Sequence, residues 1–336
     1  MHENYHQVVQ QMEDFGVVFR NTDLPLRIDE PKRRTTGRGG KWWYWLRTFA
    51  PTNGRPYVVG AFGSYKTGEQ LKVEVDWRPL ADEERARLRA ERKAAEERAA
   101  VERKREAELA ALSAHELWHQ AAREGHSEYL ARKKVEPEAC RYLADGSVVI
   151  PLLRYDRPRA AALVGLQRIW GKPRVHGRTG EALPGKTFTK GFQKAGACLR
   201  LGQVNAGDVL LVGEGYATCL SVRMATERQY PVFVALDAGN LLPVCELLRT
   251  LHPDERLLIC ADDDWRTAGN PGRSKALQAA KALERCDIVW PSFVGLPRGD
   301  KDTDFNDLHL LAGLGRVQAQ LRATLDGIRR FRSAAA

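Results

Sequence analysis

From Gly207 onward, short apolar runs alternate with helical stretches: DVLLV then YATCLSVRMATE, VFVAL then LLPVCELLRT, RLLICA then SKALQAAKALE, DIVW then FNDLHLLAGL. A chain patterned this way folds as a mostly parallel α/β sheet, each helix crossing back to the next strand. In such sheets ligands gather beyond the carboxyl ends of the strands. The residues just past those ends are Glu214, Asp237, the run Asp262, Asp263 and Asp264, and then Asp302, Asp304 and Asp307. Four strands therefore deliver carboxylates toward one edge.

A crowd of like charges is unstable unless cations neutralise it, and an all-oxygen ligand set selects Mg²⁺ or Mn²⁺. In a D-x-D on an extended segment alternate residues face the same way, so Asp262 and Asp264 share an ion while Asp263 points elsewhere. The bland alternative for LICADDD alone is an ordinary strand followed by a polar loop.

Upstream, the 336-residue chain carries a formal net charge of +10, which favours a polyanionic partner and is silent about fold. Residues 1–80 join the basic stretch PKRRTTGRGGK to the cluster WWYW and to short apolar segments separated by turns, a small β-rich module. Trp42, Trp43, Tyr44 and Trp45 serve as core or, beside Arg33, Arg34, Arg38 and Lys41, as a stacking surface for single-stranded nucleic acid. Residues 81–112 hold the Ala, Glu, Arg and Lys run Asp82–Leu109, with opposite charges at helical spacing, and read as a solvated helical spacer. A second helix is expected to start at Ser113 as N-cap, followed in residues 113–206 by the strand pair SVVIPLLRYD and ALVGLQRIW.

GEALPGKT at Gly180–Thr187 fits the phosphate-loop pattern, yet such a loop must leave an apolar strand and open a helix. GKPRVHGRT precedes it and FTKGFQKAG follows, so it reads as a basic turn rather than an ATPase site. The six cysteines form no C-x-x-C pair, and zinc is not expected. No apolar run approaches the length of a membrane span and MHENYHQVVQ lacks a signal core, so a soluble cytoplasmic protein without a membrane partner is expected.

GEG at Gly213–Gly215, DDD at Asp262–Asp264 and DTDFNDL at Asp302–Leu308 together resemble the TOPRIM domain of bacterial primases, topoisomerases and some nucleases. The likeness covers about Gly207 to Arg322, and within that superfamily it is nearest to primases of plasmids, phages and integrative elements. VIPLLR, VGLQRI, PGKTFTKG, LLVGEGYATCLS, ALDAGNLLPV, ADDDWRTAGNPG and TDFNDLH carry that closer resemblance. It implies a TOPRIM parallel-sheet domain at 207–336, preceded by a mixed α+β basic subdomain at 113–206 and the β-rich module. It implies metal binding by Glu214, Asp262, Asp264 and Asp302 or Asp304, with Glu214, Asp262 and Asp264 catalytic and Glu214 also in proton transfer. Arg168, Lys186, Lys190 and Lys194 fall where replicative primases hold template and nucleotide.

The replicative enzymes also carry a zinc ribbon and a helicase-binding domain. Here the aromatic, basic module stands in the ribbon's place, and a replicative helicase stays an open partner. The activity implied is primer synthesis on single-stranded DNA from nucleoside triphosphates, with two bound Mg²⁺ or Mn²⁺ ions. A metal-dependent nuclease using the same carboxylates and a non-catalytic nucleic-acid-binding module are the alternatives.

Overall fold

The computed structural model describes residues 2–51, 55–65, 67–75 and 82–334. The chain divides into two compact units, Met1–Ala100 and Val101–Ala336.

In the first unit a helix α1 (Tyr5–Asp14) precedes four antiparallel strands, β1 (Arg34–Thr36), β2 (Trp42–Phe49), β3 (Tyr57–Ser64) and β4 (Gln70–Lys72), paired in sequence order. The β-rich expectation is met, with α1 as an addition. Its Tyr5, Val8, Val9 and Met12 recur at helical spacing, and Val8 and Met12 are fully buried. Side chains alternate across β2: Tyr44 and Leu46 join Val8, Met12, Val58 and Phe62 in the core, with Trp42 packed against them. Trp43 and Trp45 lie on the other face. Gly60 sits where a Cβ would come 2.1 Å from the Trp45 carbonyl oxygen, at φ +147°, so only glycine lets β2 and β3 approach this closely.

A single helix, α2 (Asp82–Gln120), follows. Two helices with a break at Ser113 were expected. No glycine or proline interrupts Asp82–Gln120, so Ser113 is an interior residue and caps nothing. The charged stretch is largely exposed, as a spacer would be, but from Ala110 the helix packs on a sheet: Ala114, Leu117 and Trp118 lie against Val149, Leu163 and Leu166.

The second unit continues with α3 (Glu128–Lys133) and the strands β5 (Arg141–Tyr142), β6 (Val148–Leu153) and β7 (Leu163–Ile169). A hairpin of β8 (Arg174–Val175) and β9 (Ala182–Leu183) then leads to β10 (Lys186–Phe188). β10, β7, β6 and β5 form one antiparallel sheet in that order, with the expected β6–β7 pair at its centre. GEALPGKT thus runs through a hairpin strand into a sheet strand, with no helix after it, and the phosphate-loop geometry is absent.

Next come β11 (Leu199–Leu201), β12 (Val209–Gly213), α4 (Tyr216–Ala225), β13 (Val232–Val234), α5 (Leu241–Leu251), β14 (Arg256–Cys260), α6 (Pro271–Ala282), β15 (Cys286–Val289), α7 (Phe305–Ala312) and α8 (Leu314–Ala334). The sheet order is β11-β13-β12-β14-β15, parallel throughout except for the edge strand β11. Both faces are covered: Leu210, Val212, Leu257 and Ile259 pack with Leu241, Val244, Leu248 and Ala276 of α5 and α6. Leu211, Val232 and Leu258 face the other way, toward Leu220, Phe305, Leu308 and Leu321 of α4, α7 and α8. This is the α/β class expected from the alternation of strands and helices.

Val148, Ile150, Leu152 and Ile169 of the antiparallel sheet belong to that same buried cluster, so residues 113–206 and 207–336 share one core. Truncating fully buried Ile150 to Ala is expected to cost about 2–5 kcal/mol. In urea denaturation the whole second unit should still unfold in one transition; separate transitions for its two sheets would contradict the shared core.

Candidate active site

Glu214 is the first residue after β12, between Gly213 and Gly215, and α4 starts two residues later. Because β12 is central, its carboxyl end lies deep in the edge, and Glu214 is only 8 % exposed. Asp262 and Asp264 follow β14, the parallel neighbour of β12. The Asp264 carboxylate accepts from the backbone N–H of Gly272 at 2.9 Å, and its own N–H donates to the Asn270 side chain at 2.9 Å. A Cβ at Gly272 would stand 2.6 Å from the Asp262 carbonyl oxygen, so the loop closes on α6 only with glycine there.

Two carboxylate oxygens, Glu214 Oε1 and Asp262 Oδ1, are buried without a hydrogen-bond partner. Burial, then the charges of Asp264 and Asp237, push the Glu214 carboxyl up to about 7. Burial, then Glu214, Asp304, Asp264 and Asp307 in turn, drive Asp262 well above the usual carboxylate range. Asp304 is raised by burial and by Asp307. These residues therefore sense one another as a single cluster. Among the described residues no three acidic side chains converge as a finished cage. The unpartnered oxygens and mutual repulsion nonetheless fit a divalent cation, whose charge relieves both.

Of the pair Asp302 and Asp304, the structure brings Asp304 to the cluster. Asp304 caps α7: one oxygen accepts from the N–H groups of Asn306 and Asp307, the other from the Thr218 hydroxyl at 2.9 Å. Asp302 instead accepts from the Gly299 N–H at 2.7 Å, within its own loop. Asp263 is taken up by partners of its own, Asn270, Arg273 and Arg298. Although burial opposes its charge, hydrogen bonds from Asn270 and Arg298 hold it below the usual range. Arg298 donates to the Asp263 carboxylate and carbonyl at 2.9 Å each, and to the Asp302 carbonyl at 2.8 Å.

Sequence reasoning missed Arg298, because nothing in its irregular segment has a period. It also passed over Asn270, whose side chain caps α6 ahead of Pro271; an Asn-Pro at a helix start is the signal that marks it.

The basic residues divide. Lys186 acts on Glu214, countering its upward shift, and Lys194 pairs with Asp237 at 2.6 Å. Lys133 of α3, not anticipated, reaches Asp307 at 3.5 Å. Arg168 belongs elsewhere. It is paired across the sheet with Val149 and Thr187, on the face that carries α2, whereas Lys186 pairs with Ile169 on the opposite face. There Arg168 binds Asp145 at 2.5 Å and lies 4.6 Å from the Trp170 ring centroid. Lys190 is exposed.

In the first unit Arg33 stacks over Trp43 at 3.9 Å and Arg47 over Trp45 at 4.5 Å. These four residues line a cavity of about 1100 Å³, together with Lys72 and Arg89, Arg92 and Arg98 of α2. Trp43 is 5 % exposed and Trp42 belongs to the core side, which leaves Trp45 as the more open ring. Arg34 is half-buried and Lys41 exposed; the side chain of Arg38 lies outside the described residues.

Residues 209–314, which contain Glu214, Asp262, Asp264 and Asp304, match the Toprim domain family. The chain carries a Toprim domain. Two proteins of Escherichia coli named DNA primase TraC are similar to it, 40% and 35% identical over 105 residues, or 29% of this chain. Those stretches are 10% and 7% of the two relatives, so this chain matches about a tenth of their length or less. Among solved structures, the primase fragment of the Bacteriophage T7 primase-helicase protein aligns with 58% of this chain and 70% of its own, at 17% identity and a TM-score of 0.37. No helix among the described residues is long and apolar enough to cross a membrane.

Two outcomes test this geometry. Glu214 in the Toprim domain ionises near 7 against an ordinary 4.5, so its stabilising contribution is complete below about pH 4.5 and lost as pH rises through about 7. Without divalent ions, denaturation should show about 3 kcal/mol lost across that window on account of Glu214, a loss that Glu214→Gln reduces, leaving the share of Asp262 and Asp304, and that Mg²⁺ offsets. Arg298→Ala should cost about 1.5–3 kcal/mol in the same assay, because it removes the nearer of two cations at buried Asp263 and leaves Arg273 at 3.4 Å.

Proposed function

We propose that this protein is a primase, joining nucleotides into short primers on single-stranded DNA by metal-dependent nucleotidyl transfer. The observation that carries the reading is the buried carboxylate cluster of Glu214, Asp262, Asp264 and Asp304, with Lys186 of β10 and Lys194 of the loop after it brought up to its edge. Similarity to proteins named DNA primase supports it.

In the reaction, a 3′-hydroxyl oxygen bonds to the α-phosphorus of a nucleoside triphosphate. The α–β phosphoanhydride bond breaks, pyrophosphate leaves, and the hydroxyl gives up its proton. Glu214, Asp262, Asp264 and Asp304 would hold Mg²⁺ or Mn²⁺, which supplies charge stabilisation for the attacking and leaving oxygens. Asp302 would assist only from its loop. Glu214 Oε1 is buried without a partner and burial pushes the carboxyl up to about 7, so it holds a proton that a bound ion would displace, and the proton of the attacking hydroxyl passes to water. Lys186 and Lys194 bind the triphosphate; for Lys194 this means exchanging Asp237 for phosphate. Lys190 lies exposed on the same connection and adds charge for template phosphates, while Arg168 on the other face contributes to template only.

The first unit holds single-stranded template through Trp45 and Trp43 with Arg33, Arg34, Arg38, Lys41 and Arg47. Trp42 supports that surface from the core. Trp45→Ala combined with Arg33→Ala is expected to weaken oligonucleotide binding, and to lower the slope of log affinity against log salt by about one per lost phosphate contact. Fluorescence anisotropy across a salt series checks this, and an unchanged slope would place the template elsewhere.

The deciding assay incubates the protein with single-stranded DNA, labelled nucleoside triphosphates and Mg²⁺ or Mn²⁺, and sizes the products. Short oligomers are expected from wild type and none from Asp262→Asn or Asp264→Ala, while Lys186→Ala should mainly raise KM. DNA cleavage without added nucleotides would replace the primase with a nuclease.

A further inference from the structure

Trp265 directly follows Asp264, so its indole and the carboxylate cluster belong to one loop. That loop is tightly fixed. The Trp265 N–H donates to the Asp263 carbonyl and the Thr267 N–H to the Asp264 carbonyl, each at 2.7 Å, and the Asn270 N–H to the Thr267 carbonyl at 2.9 Å. Despite this order the indole is 39 % exposed, and among the described residues no other tryptophan is as open to solvent. A partly open indole held on the same ordered loop as Asp262 and Asp264 offers a π-face on which a planar group can stack.

Two guanidiniums accompany the ring, and they differ in mobility. Arg298 stands 4.9 Å from its centroid and is anchored by three hydrogen bonds, to Asp263 twice and to the Asp302 carbonyl. It also lies over Phe293 at 4.4 Å. Arg266 stands 4.1 Å from the Trp265 centroid, but among the described residues its one ion-pair partner is Asp300, and both members of that pair are mostly exposed. Such a pair is worth little and opens readily. Arg298 thus holds the ring in place, and Arg266 is free to turn from the indole toward a phosphate.

We propose that Trp265 is a stacking platform for the base of a nucleotide whose phosphates lie at the Glu214, Asp262 and Asp264 carboxylates. The proposal rests on the nucleotidyl-transfer reading above and specifies where the base goes. A planar π-system tethered to phosphate is the ligand chemistry that uses both halves of this loop at once: the indole takes the base and the neighbouring carboxylates, through their cation, take the phosphates. Stacking is indifferent to base identity, so purine and pyrimidine nucleotides both qualify, purines with the larger overlap.

Isothermal titration calorimetry on the full chain with excess Mg²⁺ tests this, using ATP and inorganic tripolyphosphate as titrants. Tripolyphosphate carries the charge without the base. Trp265→Ala is expected to weaken ATP binding roughly 5- to 100-fold and leave tripolyphosphate within about twofold of wild type. Trp265→Phe, which keeps a ring, should recover most of the ATP affinity, and Asp262→Asn should weaken both titrants. Unchanged ATP affinity in Trp265→Ala would overturn the platform alone, as would an equal loss for ATP and tripolyphosphate in that variant. A wild-type protein that binds neither titrant would overturn the nucleotidyl-transfer reading and the platform with it.

Discussion

Like charges gathered at the ends of parallel strands repel, and burial deepens the cost because little solvent remains to screen them. The second unit is organised around that constraint. β12, and β14 beyond Arg256, are apolar on both faces and bring Glu214 and Asp262 to the same end of the sheet. The helix caps and loops that follow take up the remaining carboxylates in hydrogen bonds: Asp264 on the Gly272 N–H, Asp304 on the start of α7 and on Thr218, Asp263 on Arg298. Buried without a partner are one oxygen on Glu214 and one on Asp262. The repulsion is thereby concentrated at two atoms, where a cation has most to gain.

The antiparallel sheet contributes through its second face. Val148, Ile150 and Ile169 fuse it to the parallel sheet in one core, and the same packing holds β10 so that the Lys186 charge is felt at Glu214. Lys194 and Lys133 pair with Asp237 and Asp307 at the rim of the cluster. The rim is therefore neutralised by side chains, while Glu214 and Asp262 at the centre keep most of the repulsion.

Much of this was legible from residues. Short apolar runs alternating with helical stretches fixed the strand order's crossover logic, and the two-residue period of an extended segment separated Asp263 from Asp262 and Asp264. What was not legible depended on tertiary register. Arg168 and Lys186 fall on opposite faces because β7 and β10 pair in one register rather than its neighbour, which no local pattern states. Asp304 rather than Asp302 enters the cluster because α7 begins at Phe305 and needs a cap, while the segment before it has no period to read. Ser113 looked like a cap, but α2 runs through it because no glycine or proline breaks Asp82–Gln120. Trp42 and Trp43 are neighbours in sequence and opposites in the sheet, one turned to the core and one to the basic cavity.

The central claim is that the buried carboxylates form a cation site whose charge is held back by protons until an ion arrives. Titrating Mn²⁺ into the protein at pH 7 by calorimetry, in two buffers of different ionisation enthalpy, measures ion affinity and proton release together. Binding with release of about one proton or more per chain is predicted, reduced in Glu214→Gln, since Glu214 and Asp262 must ionise to take the ion. No saturable binding, or binding whose heat is the same in both buffers, would contradict the account.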